Sequence, residues 1–229
     1  MERTRRQEPA TPAAPAVLVS VASGRVALEG ALELPEGCTG VVLFAHGSGS
    51  SRHSPRNNFV AQQLRAARLG TLLIDLLTPE EDADYETRFD IALLTQRLSD
   101  AVRFLQKDAR TAKLPVGLFG ASTGAAAALQ VAAQMPQAIA AVVSRGGRPD
   151  LAGGAALGGV RAPTLLVVGG DDYGVIELNQ SAHAALGCAK ELAIVPGATH
   201  LFEERGTLEE VARLAAAWFS RHLQRMAGA

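Results

Sequence analysis

The chain carries an apolar run, Val116-Gly117-Leu118-Phe119, that continues as Gly120-Ala121-Ser122-Thr123-Gly124 and passes at once into an alanine-rich segment, Ala125 to Ala133. A strand ending in Gly-x-Ser-x-Gly before a helix is a nucleophile elbow. The bend is tight enough to force strained backbone angles on the serine and to hold its hydroxyl clear of the strand ends. Side chains at Gly120 or Gly124 would collide with the facing strand or helix. The same residues also suit an ordinary strand-to-helix turn with a serine N-cap. The chemical reading therefore depends on a base, an acid and oxyanion donors elsewhere in the chain.

Pro196-Gly197-Ala198-Thr199-His200 follows the last apolar strand, and Gly169-Gly170-Asp171-Asp172 follows the one before it. The order is serine, acid, histidine. A serine hydroxyl is a weak nucleophile near neutral pH, so a neutral imidazole must take its proton. A carboxylate must then hold the other ring N–H and stabilise the cation that forms. His200 is the candidate base, because His183 and His222 fall in expected helices and His46 and His53 in the first loop. Asp172 is the preferred acid, being far enough past its strand to turn back toward His200. Asp171 fits a helix-leading aspartate favoured by the dipole, and Asp150 is a further alternative. The oxyanion donors expected are the N–H groups of Thr123 and Ser48.

Substrate contacts are sought in His46, Arg52 and Arg145. His46 fits better as a residue that holds its loop by hydrogen bonding than as one that reacts. Arg52, Arg56, Arg145 and Arg148 all follow strands, and their guanidinium groups could clamp a carboxylate or phosphate. Solvated charge, or ion pairs with the acidic Glu80-Glu81-Asp82 segment, would serve equally well.

The elements that must position these groups alternate. Val17 to Val21 and Val26 to Leu34 read as a hairpin turning at Ser23-Gly24. Further strands are expected at Val41 to Ala45, Thr71 to Leu76, Val116 to Ala121, Ala138 to Val143, Thr164 to Val168 and Glu191 to Val195. Helices are expected at Phe59 to Leu69, Arg88 to Lys107, after the elbow, at Val175 to Leu186 and at Thr207 to Leu223, the last opened by a Thr207/Glu210 capping box. Pro79 to Asp84 reads as a loop. Strands alternating with helices demand a mostly parallel sheet sandwiched between helices, with the loops after each strand along one binding edge.

Taken together, His46-Gly47, Gly120-x-Ser122-x-Gly124, Gly169-Gly170-x-Asp172 and Gly197-x-x-His200 resemble the α/β-hydrolase superfamily. The compact form is similar to its dienelactone-hydrolase-like members. The resemblance spans about Val41 to Leu223 and implies a central sheet of about eight strands and a serine mechanism without cofactor or metal. It implies carboxylic esters of small soluble molecules as substrates, by way of a Ser-His-Asp triad and an acyl-enzyme. Dienelactone hydrolases proper carry a cysteine where Ser122 stands. Where many superfamily members insert a cap domain, only the segment between Val143 and Thr164 is present, which implies an open site.

Composition is consistent with this. The 229 residues are 48% hydrophobic and 20% charged, with net charge -1, which suits one α/β domain from residue 17 onward and points to neither a nucleic-acid nor a membrane partner. A monomer and a homodimer fit equally. Residues 1–16 read as a disordered tail without the apolar stretch of a secretory signal, and Cys38 and Cys188 as thiols in the cytoplasm. Acyl transfer and thioester hydrolysis share the same intermediate. An inactive binding module on this fold would explain the sheet but not the ordered trio, and a dinucleotide fold would use Gly47, Gly49 and Asp75 but lacks the third glycine.

Overall fold

The computed structural model describes residues 16–223; the expected N-terminal tail, apart from Ala16, lies outside them. Eight strands form one sheet in the order β1-β2-β4-β3-β5-β6-β7-β8. They are β1 (Val17–Ser23), β2 (Val26–Glu33), β3 (Gly40–Ala45), β4 (Leu69–Ile74), β5 (Val116–Ala121), β6 (Ile139–Arg145), β7 (Thr164–Gly169) and β8 (Lys190–Val195). The hairpin β1–β2 is antiparallel and joins β4 antiparallel, whereas the strands from β4 across to β8 run parallel. β3, β4, β5 and β7 are buried at every residue, which is why they stand in the sequence as unbroken apolar runs rather than alternating ones.

Helices cover both faces. On one side lie α1 (Pro55–Ala66) and α7 (Thr207–His222), whose Val60, Leu64, Val211 and Phe219 pack with Val42, Phe44, Phe119 and Val143. On the other lie α3 (Ile91–Lys107) and α4 (Thr123–Gln134), with α5 (Gly154–Gly159) and α6 (Tyr173–Ala185), packed on Leu43, Leu118, Val142 and Leu166. Successive strand residues thus serve opposite layers, as the pleat requires. Residues Ala125 to Leu129 of α4 are all buried. Its alanines let the helix sit close on the sheet directly behind the elbow.

Several boundaries differ from those the sequence suggests, for local reasons. α1 starts at Pro55 because Ser54 caps it through the Asn57 N–H and proline suits the first turn. The acidic segment is a short helix, α2 (Pro79–Ala83), and not a loop, since Thr78 and Glu81 form a reciprocal capping box. α3 begins at Ile91 because the Asp90 carboxylate accepts the Leu93 N–H. The box expected at Thr207 and Glu210 does not form. Gly206 precedes α7 with φ 84°, the Thr207 hydroxyl donates to Glu204 O at 2.7 Å, and Glu210 pairs with Arg213. Between β6 and β7 stand a one-turn 3₁₀ helix (Pro149–Ala152) and α5, and no inserted layer.

Candidate functional site

At the end of β5 the chain reverses at Ser122, whose φ of 49° and ψ of -120° lie in a region that side-chain-bearing residues avoid. Such a conformation costs about 1–3 kcal/mol and persists only when its surroundings impose it. Here they do. The Ser122 N–H donates to Arg145 O at 3.3 Å, and Ser122 O accepts the N–H groups of Ala125 and Arg148, each at 3.1 Å. A Cβ at Gly120 would lie 2.8 Å from Ala125 N, and one at Gly124 would lie 2.5 Å from His46 O. The glycines are thus where backbone meets backbone. Ser122 occupies the N-cap position of α4 but its side chain makes no capping hydrogen bond. The hydroxyl is not spent on the helix.

Two loops meet beside this turn. Gly170 N–H donates to Val195 O at 2.8 Å and Asp171 N–H to Ala198 O at 2.9 Å, so the segments after β7 and β8 are held together. Gly169 permits the approach, since a Cβ there would stand 2.7 Å from Thr199 O. Asp172 then heads α6, again without a side-chain cap, and its Oδ2 lies 2.7 Å from His200 Nδ1. That is the spacing of an Nδ1–H donating to a carboxylate, which leaves Nε2 as the acceptor nitrogen. The neighbouring Asp171 is exposed. Asp150 is occupied, accepting two hydrogen bonds from the Arg148 guanidinium at 2.7 and 2.9 Å. His200 is held near the nucleophile turn from below, where a Cβ on Gly146 would lie 3.6 Å from its Cε1. Its loop is pinned by Phe202, fully buried at the positive φ of 55°.

The first loop presses on the same turn, with Gly47 so close that a Cβ would stand 3.0 Å from that of Ser122. Ser48 follows directly, and Thr123 is the first residue of α4, where an N–H has no partner within the helix. His46 does not face outward as a substrate contact. Its Nε2 accepts the Leu76 N–H at 3.0 Å, which places the proton on Nδ1, 3.0 Å from Gly47 O. Burial holds this imidazole below its ordinary pKa, against the opposing pull of the Gly47 carbonyl and of Asp75 and Asp82. Both nitrogens of His46 hold the loop.

Arg52 is likewise turned from a substrate role. Its guanidinium pairs with Asp75 and, at 2.5 Å, with Glu29, while its N–H donates to Asp75 at 2.6 Å. Asp75, which a dinucleotide site would need for a ribose, is spent on Arg52. Arg145 is different in kind: it is 8% exposed and has no ion-pair partner among the described residues. Nothing in sequence spacing marks Arg145 as the unpaired arginine, nor Phe202 as the loop anchor. Both depend on residues brought in from distant elements. Among the described residues, no three His, Cys, Asp or Glu side chains cluster as a metal site, and no helix is long and apolar enough to cross a membrane.

Comparison with known proteins agrees with this architecture. The model of the dienelactone hydrolase family matches residues 81–227. The crystal structure of a dienelactone hydrolase from Anabaena variabilis is 55% identical, with a TM-score of 0.88, covering 91% of this chain and 98% of that one. An α/β serine hydrolase without lid from Xanthomonas campestris is 18% identical with a TM-score of 0.74, covering 94% of this chain and 98% of that one, a likeness of fold. The chain has the α/β-hydrolase fold. Two Mycobacterium tuberculosis proteins, provisionally named phosphoribosyl transferases, are 58% identical over 205 residues. That match covers 90% of this chain but 46% of theirs, so the chain spans about half the length of these relatives.

Proposed function

Because the chain belongs to the dienelactone hydrolase family, a family of hydrolases, we propose that it cleaves small carboxylic esters through Ser122, His200 and Asp172. One observation carries the reading. His200 Nδ1 lies 2.7 Å from Asp172, the His200 ring packs against Gly146, next in the chain to the Arg145 carbonyl that accepts the Ser122 N–H, and the strained Ser122 has a hydroxyl that caps nothing.

In this mechanism the neutral His200 Nε2 takes the Ser122 proton as Oγ attacks the ester carbonyl carbon. Asp172 holds the ring in the required tautomer and stabilises the imidazolium. The carbonyl π electrons move onto oxygen, where the Ser48 and Thr123 N–H groups receive the charge. Collapse expels the alkoxide, protonated by His200, and leaves an acyl-serine. Water then gives a proton to His200 as it attacks the acyl carbon, and collapse breaks the acyl–Oγ bond, with His200 returning the proton to Ser122 Oγ as the acid leaves.

Hydrolysis is favoured over transfer to another acceptor because the site is open, the His200 side chain being 39% exposed. Water reaches the acyl-serine without a lid having to move. Phosphoribosyl transfer belongs to the name of proteins about twice as long, and the strained serine turn favours acyl chemistry.

A fluorophosphonate probe tests the reading, since it captures only an activated serine. Wild type should be labelled at Ser122, and Ser122→Ala and His200→Ala should not. An unlabelled wild-type protein that also turns over no ester in a panel graded by chain length would overturn it.

A further inference from the structure

We propose that Glu204 is a positioning residue for the base, fixing the backbone just before His200 so that the ring meets Asp172 through Nδ1 and turns Nε2 to Ser122. The proposal rests on the hydrolase reading above and adds a residue to it.

The chain from Pro196 to Gly206 joins β8 to α7 without helix or strand. No ladder fixes the residue that carries the base, so its direction depends on the hydrogen bonds of the loop itself. Ala198 O accepts the Asp171 N–H at 2.9 Å, and Thr199 O accepts the Phe202 N–H at 3.2 Å. The two donors of Thr199 go to a single carboxylate. Glu204 Oε2 accepts the Thr199 N–H at 3.1 Å, and Oε1 accepts its hydroxyl at 2.6 Å. Every polar group of Thr199 is thereby used, and the next residue is His200. Glu204 is anchored in turn, because its carbonyl accepts the Thr207 N–H at 3.1 Å and the Thr207 hydroxyl at 2.7 Å. A clip thus runs from the start of α7 to the residue before the base.

The neighbouring Glu203 pairs with Arg56 at 2.7 Å, as a loop carboxylate ordinarily pairs with a cation. Glu204 has no cationic partner among the described residues, and both its oxygens serve Thr199. The Thr199 hydroxyl, its largest support, holds the Glu204 carboxyl below its ordinary pKa, which keeps it an acceptor at neutral pH. These bonds lie at the surface, where each adds little to stability. Their effect is directional. The Cα–Cβ bond of His200 points where the Thr199–His200 peptide sends it. With Nδ1 committed to Asp172 at 2.7 Å, a tilt of that peptide swings Nε2 away from the serine. Misplacement of about 1 Å costs a reaction up to about a hundredfold in rate.

The test uses p-nitrophenyl butyrate, a fluorophosphonate probe, and NMR of protein isotope-labelled at its histidine nitrogens. The His200 ring signals are identified by their loss in His200→Ala, and they report which nitrogen carries the proton. Wild type should show Nδ1 protonated and Nε2 bare. Glu204→Ala, folded at the assay temperature by its melt, should lose about tenfold to a hundredfold in kcat. Its KM should stay within about twofold, since no substrate contact is removed. The labelling rate should fall with kcat, and the His200 signals should move toward a mixture of tautomers. Glu204→Gln, which keeps one acceptor for Thr199, should recover part of the loss. Adding Thr199→Val to Glu204→Ala should cost no more than Glu204→Ala alone, because the two residues share the contact.

An unchanged kcat in Glu204→Ala overturns the proposal. So does a lower kcat with His200 signals like those of wild type, which would make Glu204 a support of the loop and nothing more. Should Glu204→Ala fail to fold, Thr199→Val and Glu204→Gln decide. A fall in kcat with altered His200 signals in either variant supports the positioning, and any other result overturns it. The same signals separate this proposal from the hydrolase reading. Wild type with neither turnover nor labelling, but with tautomers disturbed by Glu204→Ala, overturns only the hydrolase. Wild-type turnover that Glu204→Ala leaves unchanged overturns only the positioning.

Discussion

Asn179 Nδ2 donates to Gly147 O at 3.0 Å and so ties α6 to the turn that follows β6. That turn serves both partners of the proposed reaction. Arg148 in it donates to Ser122 O, and Gly146 lies under the His200 ring. Asp172 heads the same helix that carries Asn179. One fully buried amide therefore links the supports of serine, histidine and acid. Asn179→Ala leaves the Gly147 carbonyl unpaired, which should cost about 1–3 kcal/mol of stability. As a positioning residue, Asn179 should lower kcat more than it changes KM. Thermal melts and ester kinetics check both, and a variant with unchanged melting and unchanged kcat would show that the link positions nothing.

The choice between adjacent acids is open to kinetics. Asp172 meets His200 Nδ1, whereas Asp171 uses only its backbone N–H, toward Ala198. Asp172→Asn keeps the shape but offers His200 Nδ1 a neutral partner that can impose the wrong tautomer. A loss in kcat of about 10³–10⁴ is expected by analogy with other triads. Asp171→Asn should stay within about threefold, the scale of a surface change. Equal losses in the two variants would put the acid elsewhere.

Glycines in this chain should divide sharply under substitution by alanine. At Gly124 a Cβ would enter the shell of the Ala45 and His46 carbonyl oxygens, and neither backbone can withdraw without parting β3 from the elbow. Gly124→Ala should therefore cost about 3 kcal/mol or more, the scale of severe overpacking. Gly174 lies in the first turn of α6, where an added methyl would meet nothing within 4 Å. There Gly174→Ala should stabilise by about 0.5–1 kcal/mol through the entropy removed from the unfolded chain. Paired urea titrations compare the two, and a tolerated Gly124→Ala would refute the packing account of the turn.

The division between what the sequence revealed and what it hid follows the range of the interactions. Gly120, Ser122 and Gly124 were legible because the turn is built by residues within a few positions of one another. The strand core was legible because parallel strands buried on both faces leave unbroken apolar runs. Arginine partners were not. Arg52 is ion-paired with Glu29 and Asp75, 23 residues away on either side, and Arg56 with Glu203, 147 residues on. No local pattern encodes such pairs. The Thr207 box failed for a similar reason: Glu204 O, in the loop preceding the helix, accepts the hydroxyl that would have capped it. His46 was readable as a loop-holding residue, but its partner, the Leu76 N–H, is supplied by the chain just beyond β4.

Stability should fall as the solution is acidified, and the first phase of that fall should belong to histidine. Burial holds the His46 imidazole below its ordinary value of 6.5, and burial with the Arg221 charge does the same for His222 against the pull of Glu191. Protonating His46 would also place a hydrogen on the Nε2 that accepts the Leu76 N–H. Below 6.5 the unfolded chain takes up protons that the folded one refuses. The unfolded state then binds more protons, so unfolding becomes easier as pH falls through this window and until the folded values are reached. The carboxylates held low by their partners add their own loss further down: Asp108 by Arg110, Asp150 by Arg148, Glu204 by Thr199 and Glu210 by Arg213. Urea midpoints should therefore drop between about pH 7 and about pH 5.5, before the steeper acid limb. His46→Gln keeps an acceptor for Leu76 and removes the titrating group. It should flatten that first phase while lowering stability at neutral pH, and a His46→Gln profile parallel to wild type would assign the phase to other groups.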